Sequence, residues 1–383
     1  MNFKKIKWGR FKSIYLSFSV IVVNTGILLA LLLAILSLWS PPIFRADFTR
    51  QFDLSSYQRV DPETALQAIL ENQKLQDEKS FEFFPWAVYL TRPFKGRYVN
   101  VGSDHSRFTI VPPPLKAGQK NFLIWTFGGS TMFGWAMPDS QTMASHLQTA
   151  LNSQLPSYRV RVINYGQPFY HSSMELAFYQ HLLRTEKKPD VVLFLDGLND
   201  SNNLIKGGDI PWLTDIATVG FERERLRKFG TDADVSWVTI NESFPFLRLR
   251  TWIQQKFGME NSGTNIKYPK RRGISVADAL DKYNTNLQMA QSIGQALGIR
   301  TYHFLQPVPW FKGPSTQEKK DKSVWFYEGL IERPRKGFYP TWDLLQDVPF
   351  AYVDATHYSD QGNFRVAERV ADILVKDWTH ARP

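Results

Sequence analysis

From Asn121 onward, short apolar runs alternate along the chain with segments of helical periodicity. This alternation predicts parallel strands that are joined by crossover helices. Three of the runs are apolar at nearly every position, as expected for strands that are covered on both faces. The sequence therefore predicts an α/β fold, a flavodoxin-like three-layer sandwich around a parallel five-stranded sheet. The predicted strands are 121–127, 159–165, 190–196, 300–306 and 350–354.

Three helices can be predicted from their caps and apolar stripes. The segment from Thr142 to Leu151 has apolar residues at helical spacing, and a second helix follows Asp61 as its N-cap. A third helix begins at Ser275 with Asp278 completing a capping box, and it ends at Gly298. These helices provide crossover connections and one helix upstream of the sheet.

An apolar stretch from Ile14 to Trp39 precedes this pattern. It exceeds the roughly 20 residues that a helix needs to cross a bilayer, and also the ~7–15 residues of a signal-peptide core. We therefore expect an uncleaved transmembrane helix over 13–40, preceded by a basic cytoplasmic segment at 1–12. The expected location is the plasma (inner) membrane, single-pass, with everything after the helix extracytoplasmic.

Composition excludes several kinds of chemistry. The chain has no cysteine, so a thiol nucleophile, disulfides and thiolate metal sites are excluded. Half of the net charge of +10 comes from five cations that precede the apolar stretch, so no nucleic-acid partner is predicted. Five histidines lack the paired spacing of a metal site, and neither a metal nor a cofactor is predicted. We expect His146 on a helix face, His303 in a strand, and His171 and His181 at the surface rather than lining the cleft; the fifth is His105.

The chain is predicted to comprise an extracytoplasmic N-terminal region and linker at 41–119 and a main domain at 120–383. Prolines at 112–114 mark the linker. The main domain carries an insertion at about 201–274, longer than a crossover requires. Its aromatic and basic residues suit a membrane-facing patch, a cap whose tryptophans stack on sugar rings, or simply a small core of the insertion's own.

Polar residues follow four of the predicted strands directly. Because the carboxyl ends of parallel strands meet at one edge of the sheet, these residues should lie at a common rim. Each group alone has a simpler explanation, as a βα connection, a tight turn, an Asx turn or a polar approach to a helix cap. The occurrence of all four groups directly after predicted strands favours a shared functional site. The groups are Gly128-Gly129-Ser130-Thr131, Asn164-Tyr165-Gly166, Gly197-Leu198-Asn199-Asp200 and Asp354-Ala355-Thr356-His357.

These residue types fit acyl transfer through a serine nucleophile. The hydroxyl of Ser130 needs a base, and His357 can be that base if Asp354 fixes its tautomer. The backbone amides of Ser130 and Gly166 and the side-chain amide of Asn199 can donate to the developing oxyanion.

The four blocks resemble those of the SGNH (GDSL-like) hydrolase superfamily, over about Lys120 to the C-terminus, and the apolar stretch suggests a membrane-anchored exported member. The resemblance implies Ser130 as nucleophile, His357 as base, Asp354 as its orienting acid, and Ser130, Gly166 and Asn199 as the oxyanion hole. The usual Gly-Asp-Ser-Leu is replaced here by Gly-Gly-Ser-Thr, which changes the local loop contacts. The motifs of three other α/β folds are incomplete in this sequence: the nucleophile elbow of α/β-hydrolases, the P-loop and the dinucleotide-binding fingerprint.

Three functions remain open at the level of sequence. The first is an esterase that removes acyl groups, most plausibly acetyl, from an envelope glycan or a lipid-linked substrate. The second is an O-acyltransferase that passes the same acyl group to an exopolysaccharide hydroxyl. The third is a non-catalytic scaffold that binds a membrane-protein partner. The intact serine, aspartate and histidine argue against the third.

Overall fold

The computed structural model describes residues 15–29, 31, 51–75, 80–207, 274–314, 321–333 and 335–380 of the chain. The chain divides into two compact units, one of Met1–Ala46 with Arg223–Lys267 and one of Asp47–Glu222 with Tyr268–Pro383. In the first unit, the structure describes helix α1 over 15–29 and residue 31. Among the described residues, no helix has both the length and the apolar character that crossing a bilayer requires. The anchor predicted over 13–40 extends beyond them, as does most of the insertion predicted at 201–274.

The second unit is built on a five-stranded parallel sheet, as the sequence predicts. The strand order is β6-β5-β7-β8-β9, so the first strand of the sheet along the chain lies between the second and the third. This is the flavodoxin-like order, in which the connections diverge to both faces at the carboxyl end of the central strands. The strands are β5 Lys120–Gly128, β6 Tyr158–Asn164, β7 Val191–Asp196, β8 Arg300–Leu305 and β9 Phe338–Tyr339.

The prediction of the fifth strand at 350–354 is wrong. The edge position is taken by β9, which pairs with β8 through His303 and Phe338. Within 350–354 the chain turns back on itself instead, because the Val353 N–H donates to the His357 carbonyl at 2.9 Å. A second bond from Ser359 N to the Ala351 carbonyl, also 2.9 Å, closes the same loop. These backbone groups are therefore engaged within the loop and do not extend the sheet.

Helices cover both faces of the sheet. On one face, α4 and α9 bury residues such as Leu147 and Val370 against Ile124 of β5. On the other face, α5 and α7 bury Phe178 and Ala290 against Phe127 of the same strand. Alternate residues of β5 thus enter opposite cores, which gives the three layers. The helices of this unit are α2 Pro62–Lys74, α3 Ser130–Phe133, α4 Met143–Gln154, α5 Ser172–Thr185, α6 Leu198–Gly207, α7 Val276–Leu297, α8 Lys322–Ile331 and α9 Asp360–His380.

The helix boundaries agree closely with the predicted caps. Asp61 accepts a hydrogen bond from Thr64 N and caps α2, and Thr142 caps α4. The box of Ser275 and Asp278 is formed at the start of α7, whose end is set by Gly298 in a left-handed conformation with φ 68°. Local sequence therefore specifies where these helices begin and end.

The described part of the N-terminal region packs against the sheet unit. It contains two antiparallel pairs, β1 with β2 and β3 with β4. The buried guanidinium of Arg107 donates to Asp139 and to the Met137 carbonyl, both at 2.7 Å, just beyond α3. Residues on both sides of the boundary predicted at 120 thus share contacts. The short strands are β1 Phe81–Phe84, β2 Val88–Thr91, β3 Phe94–Lys95 and β4 Asn100–Val101.

Candidate active site

Ser130 is the first residue of a one-turn helix that directly follows β5. Gly129 is the N-cap of α3, and Gly134 ends the helix with φ 83°, a left-handed conformation that glycine adopts without strain. The Ser130 N–H lies in the first turn, where amides have no carbonyl partner within the helix. The side chain of Ser130 is half-buried, so its hydroxyl is held at the carboxyl edge of the sheet and remains accessible.

Asp354 and His357 lie on the loop that precedes α9. Oδ1 of Asp354 accepts hydrogen bonds from the backbone N–H groups of Thr356 and His357, at 2.7 and 2.6 Å. Its other oxygen, Oδ2, lies 2.6 Å from Nδ1 of His357. The carboxylate therefore shapes the loop and contacts the imidazole at the same time, which accounts for the three-residue spacing.

His357 connects this loop to Ser130. Its Nε2 lies 2.8 Å from the Ser130 hydroxyl oxygen, and both members of the Asp–His pair keep less than a fifth of their side-chain surface exposed. Although burial by itself raises the pKa of Asp354, the hydrogen bond and charge of His357 outweigh it and hold that pKa below its usual value. The ionised carboxylate can only accept, so a neutral imidazole carries its proton on Nδ1 and accepts the serine proton at Nε2. The structure thus brings together the three residues that the sequence predicts as a triad.

Gly166 lies beneath α3, in contact with its backbone. A Cβ atom at this position would lie 2.6 Å from the backbone nitrogen of Phe133, so only glycine fits. The Gly166 N–H, however, donates to Oδ1 of Asn164 at 3.0 Å within a buried environment. This amide is therefore engaged inside the protein, and the predicted oxyanion role would require that bond to be exchanged.

Asn199 is placed beside the nucleophile turn from the opposite side. It lies in the first turn of α6, and its Nδ2 donates to the Tyr170 carbonyl at 2.7 Å. The same Nδ2 occupies the space that a Cβ atom of residue 129 would need. The side-chain amide of Asn199 therefore lies next to the residue that precedes Ser130.

Three further residues fix the site, and the sequence assigns none of them to the triad or the oxyanion hole, although Asn164 belongs to one of the four predicted polar groups. Asn164 is fully buried and donates from Nδ2 to the Met132 carbonyl at 2.8 Å, which ties α3 to the end of β6. Gln306 donates from Nε2 to the hydroxyl of Thr131 at 2.8 Å. The ring of Trp135 lies 6.2 Å from the imidazole of His357, between centroids. A polar amide that ends an apolar strand, as Asn164 and Gln306 each do, is the signal that could have identified two of them.

A cluster of three buried acidic residues, Glu175, Asp196 and Asp200, lies at the start of helix α6, which carries Asn199. Burial raises the pKa values of Glu175, Asp196 and Asp200, and the charge of Asp200 raises those of Glu175 and Asp196 further. Tyr283 donates to Asp196, and Ser172 donates to Asp200 from both its hydroxyl and its N–H. These contacts join β7, α5 and α7, so the group holds the third block of predicted site residues in place.

Three histidines outside the triad, His146, His171 and His303, occupy structural positions. His146 and His303 lie in a helix and a strand as predicted, and burial lowers their pKa values to about 4 and about 3. His171 is fully buried and caps α5 by accepting from Ser173 N, so the predicted surface position is wrong. Within the described ranges, no group of three histidine or acidic side chains is arranged to hold a metal ion.

No protein-family model matches the chain, and no curated protein matches it. Similar solved structures include a protein described as lipolytic and of the G-D-S-L family from Desulfitobacterium hafniense, at 11% identity and a TM-score of 0.34, over 67% of this chain and 99% of that one. An esterase from a Pseudoalteromonas species has 13% identity and a TM-score of 0.36, over 67% and 98%. An acetylxylan esterase from Geobacillus stearothermophilus has 12% identity and a TM-score of 0.36, over 68% and 96%. At these identities and TM-scores the likeness decides neither the fold nor the activity of this chain.

Proposed function

We propose that this protein is a serine ester hydrolase of the SGNH type. The observation that carries the proposal is the pair of hydrogen bonds that joins Ser130 to His357 at 2.8 Å and His357 to Asp354 at 2.6 Å. A serine hydroxyl is a weak nucleophile unless a base removes its proton, and this arrangement supplies an oriented base. A purely structural role would not leave such a relay accessible at the carboxyl edge of the sheet.

The geometry supports a two-step acyl transfer. In the first step Oγ of Ser130 forms a bond to the ester carbonyl carbon while Nε2 of His357 takes the hydroxyl proton, and Asp354 stabilises the resulting imidazolium. The carbon–oxygen bond to the alcohol then breaks, and the alcohol leaves with the proton from Nε2. In the second step water loses a proton to the same nitrogen and attacks the acyl carbon. The bond between that carbon and Oγ then breaks, Oγ of Ser130 takes the proton back from Nε2, and the acid is released.

The developing negative charge on the carbonyl oxygen needs hydrogen-bond donors. We assign this role to the Ser130 N–H and to the second N–H of the Asn199 side-chain amide, whose first donates to Tyr170. One donor of this kind is worth about 2.7–4 kcal/mol of activation free energy. Gly166 acts chiefly by letting the β6 turn approach α3, because its amide donates to Asn164.

The substrate that we propose is an acyl ester, most plausibly acetyl, of a glycan or another envelope component, including lipid-linked material. The support comes from the apolar stretch Ile14–Trp39 and the cations before it, which favour a membrane-anchored chain with its catalytic unit outside the membrane. An enzyme so placed meets the acylated polymers of the envelope. Protease accessibility of the catalytic unit in intact and lysed cells tests the anchoring and orientation.

Turnover of a simple ester tests the activity itself. The purified chain should hydrolyse p-nitrophenyl acetate, and Ser130→Ala should abolish that turnover. Ser173→Ala is a matched control. Ser173 lies at the start of α5, where its hydroxyl accepts a hydrogen bond from Asn286, and its removal should leave turnover nearly unchanged. Activity that survives Ser130→Ala would rule out the proposed nucleophile.

A further inference from the structure

Residues 53–58 lie across the loop that carries the Asp–His pair. The Asp53 N–H donates to the carbonyl of Val353 at 2.7 Å, immediately before Asp354. The Gln58 N–H donates to Oδ1 of Asp360 at 3.1 Å, three residues beyond His357. One short segment thus holds the loop at both of its ends.

Tyr57 extends from the same segment to the nucleophile turn. Its ring is buried, with 6% of its surface exposed, and its hydroxyl donates to the carbonyl of Ala136 at 3.1 Å. Ala136 follows Trp135, whose ring lies against the imidazole of His357. It also adopts φ 63°, a conformation that is unfavourable for any residue with a Cβ atom. The hydroxyl of Tyr57 therefore holds a strained residue close to the site.

Side chains from all three elements share one hydrophobic cluster. Tyr57 packs there with Phe133 and Trp135 from the nucleophile turn and with Val353 from the acid–base loop. Burial, followed by the charges of Asp354 and Asp360, raises the pKa of Tyr57 above its usual value. The phenol therefore keeps its proton and remains a hydrogen-bond donor at neutral pH.

We propose that Tyr57 is a positioning residue, and that the segment 53–58 sets the distance between Ser130 and His357. This inference rests on the proposed hydrolysis. The two catalytic loops follow different strands, and their relative placement decides whether the proton transfer from serine to imidazole has a productive geometry. Tyr57 contacts one loop through its hydroxyl while its backbone neighbours hold the other. Loss of that link allows the loops to shift while the sheet and its helices stay folded.

The test compares Tyr57→Phe with Tyr339→Phe in the full chain. Each change removes one phenol hydroxyl and keeps the ring, and Tyr339 donates to Asp377 at 2.8 Å on the outer strand β9. With p-nitrophenyl acetate, Tyr57→Phe should lower kcat about tenfold, equivalent to about 1.4 kcal/mol, while KM stays nearly constant. Tyr339→Phe should leave kcat unchanged. The midpoint temperature of thermal unfolding is measured for both variants. The kinetics are then recorded at a temperature well below the lower of the two midpoints.

The labelling of Ser130 by a fluorophosphonate separates this inference from the proposed function. The wild-type chain should be labelled, and the labelling rate should fall in Tyr57→Phe in parallel with kcat. If the wild-type chain shows neither turnover nor labelling, the proposed function itself is wrong. If the wild-type chain is active but Tyr57→Phe matches Tyr339→Phe in kcat and labelling rate, Tyr57 serves stability alone and the positioning role is excluded.

Discussion

The hydroxyl of Ser130 lies 2.8 Å from Nε2 of His357, although the two residues are 227 positions apart in the chain. Ser130 follows the central strand β5, whereas His357 lies on a loop beyond the edge strand β9. The parallel sheet turns both connections toward the same edge, and hydrogen bonds within the His357 loop complete the approach. The chemistry thus depends on tertiary structure at every step.

His357→Ala should abolish labelling of Ser130 by a fluorophosphonate, because no other base then accepts the serine proton. We expect a loss of labelling rate of about 10³-fold or more, in line with the loss of a base that activates a nucleophile. His146→Ala is a suitable control, since that histidine lies in α4 with its ring against Phe364. Equal labelling of wild type and His357→Ala would remove the histidine from the mechanism.

Asp354→Asn should lower kcat less than His357→Ala does. An asparagine can keep the oxygen that accepts from the N–H groups of Thr356 and His357, so the shape of the loop should survive. Its amide nitrogen, however, cannot accept a hydrogen bond from the Nδ1–H group of His357, and the neutral side chain cannot stabilise an imidazolium. We expect activity between those of wild type and His357→Ala, measured as kcat at saturating ester. An Asp354→Asn variant with full activity would contradict the orienting role.

The stability of the wild-type chain should fall at acidic pH partly through Asp354. The pKa of this carboxyl is lower in the folded chain than in the unfolded one, so its contribution is present above about 3.9, the ordinary aspartate pKa. The contribution disappears as pH falls from that value through the lowered pKa. Thermal midpoints recorded between about pH 5 and 2 should therefore decline more steeply for wild type than for Asp354→Asn. Parallel curves for the two proteins would argue against a lowered pKa.

Glu175→Gln should stabilise the protein at neutral pH. Glu175 is fully buried, and neither of its carboxylate oxygens has a hydrogen-bond partner among the described residues. Burial, with the charges of Asp196 and Asp200, raises its pKa, so the favourable protonated form is progressively lost as pH rises through that value. The uncharged amide removes this dependence, and we therefore expect a higher free energy of unfolding for Glu175→Gln than for wild type above pH 7. Urea unfolding at pH 4 and pH 8 should show the gain at the higher pH only.

Asn199→Ala should reduce kcat by about 10²–10³-fold with a smaller effect on KM, as expected for a donor that acts mainly on the transition state. Asn152→Ala provides a control, since that amide donates to the Gln148 and Val160 carbonyls and lies away from the triad. If Asn199→Ala raised KM and left kcat intact, Asn199 would bind the substrate rather than stabilise the oxyanion.

Much of the architecture can be predicted from local patterns. The first four strands of the sheet coincide with short runs rich in apolar residues, and the caps at Ser275 and Gly298 are short motifs with their own hydrogen bonds. The meeting of Ser130 with His357 could be predicted as well, although His357 reaches Ser130 from a self-closed loop and not from the end of the predicted strand at 350–354. Strand β9 could not, because two residues between Gly337 and Pro340 carry too little apolar periodicity to identify a strand.

Other features depend on partners that are distant in the chain. The Gly166 amide donates to Asn164, and the side chain of Asn164 is in turn held by the Met132 carbonyl, which lies 32 positions earlier in the chain. The position of Tyr57 near the site has no local signal at all, since the hydroxyl's acceptor, Ala136, is 79 residues away. Such contacts are decided by tertiary packing.

The loop that carries Asp354 and His357 is closed by its own backbone, through Val353 with His357 and Ala351 with Ser359. It is consequently independent of the path by which the chain reaches it from β9. Substitutions at exposed positions between β9 and this loop, such as Asp343 and Gln346, should therefore leave the contact between Asp354 and His357 in place, whereas Leu345 is held in the core of the sheet.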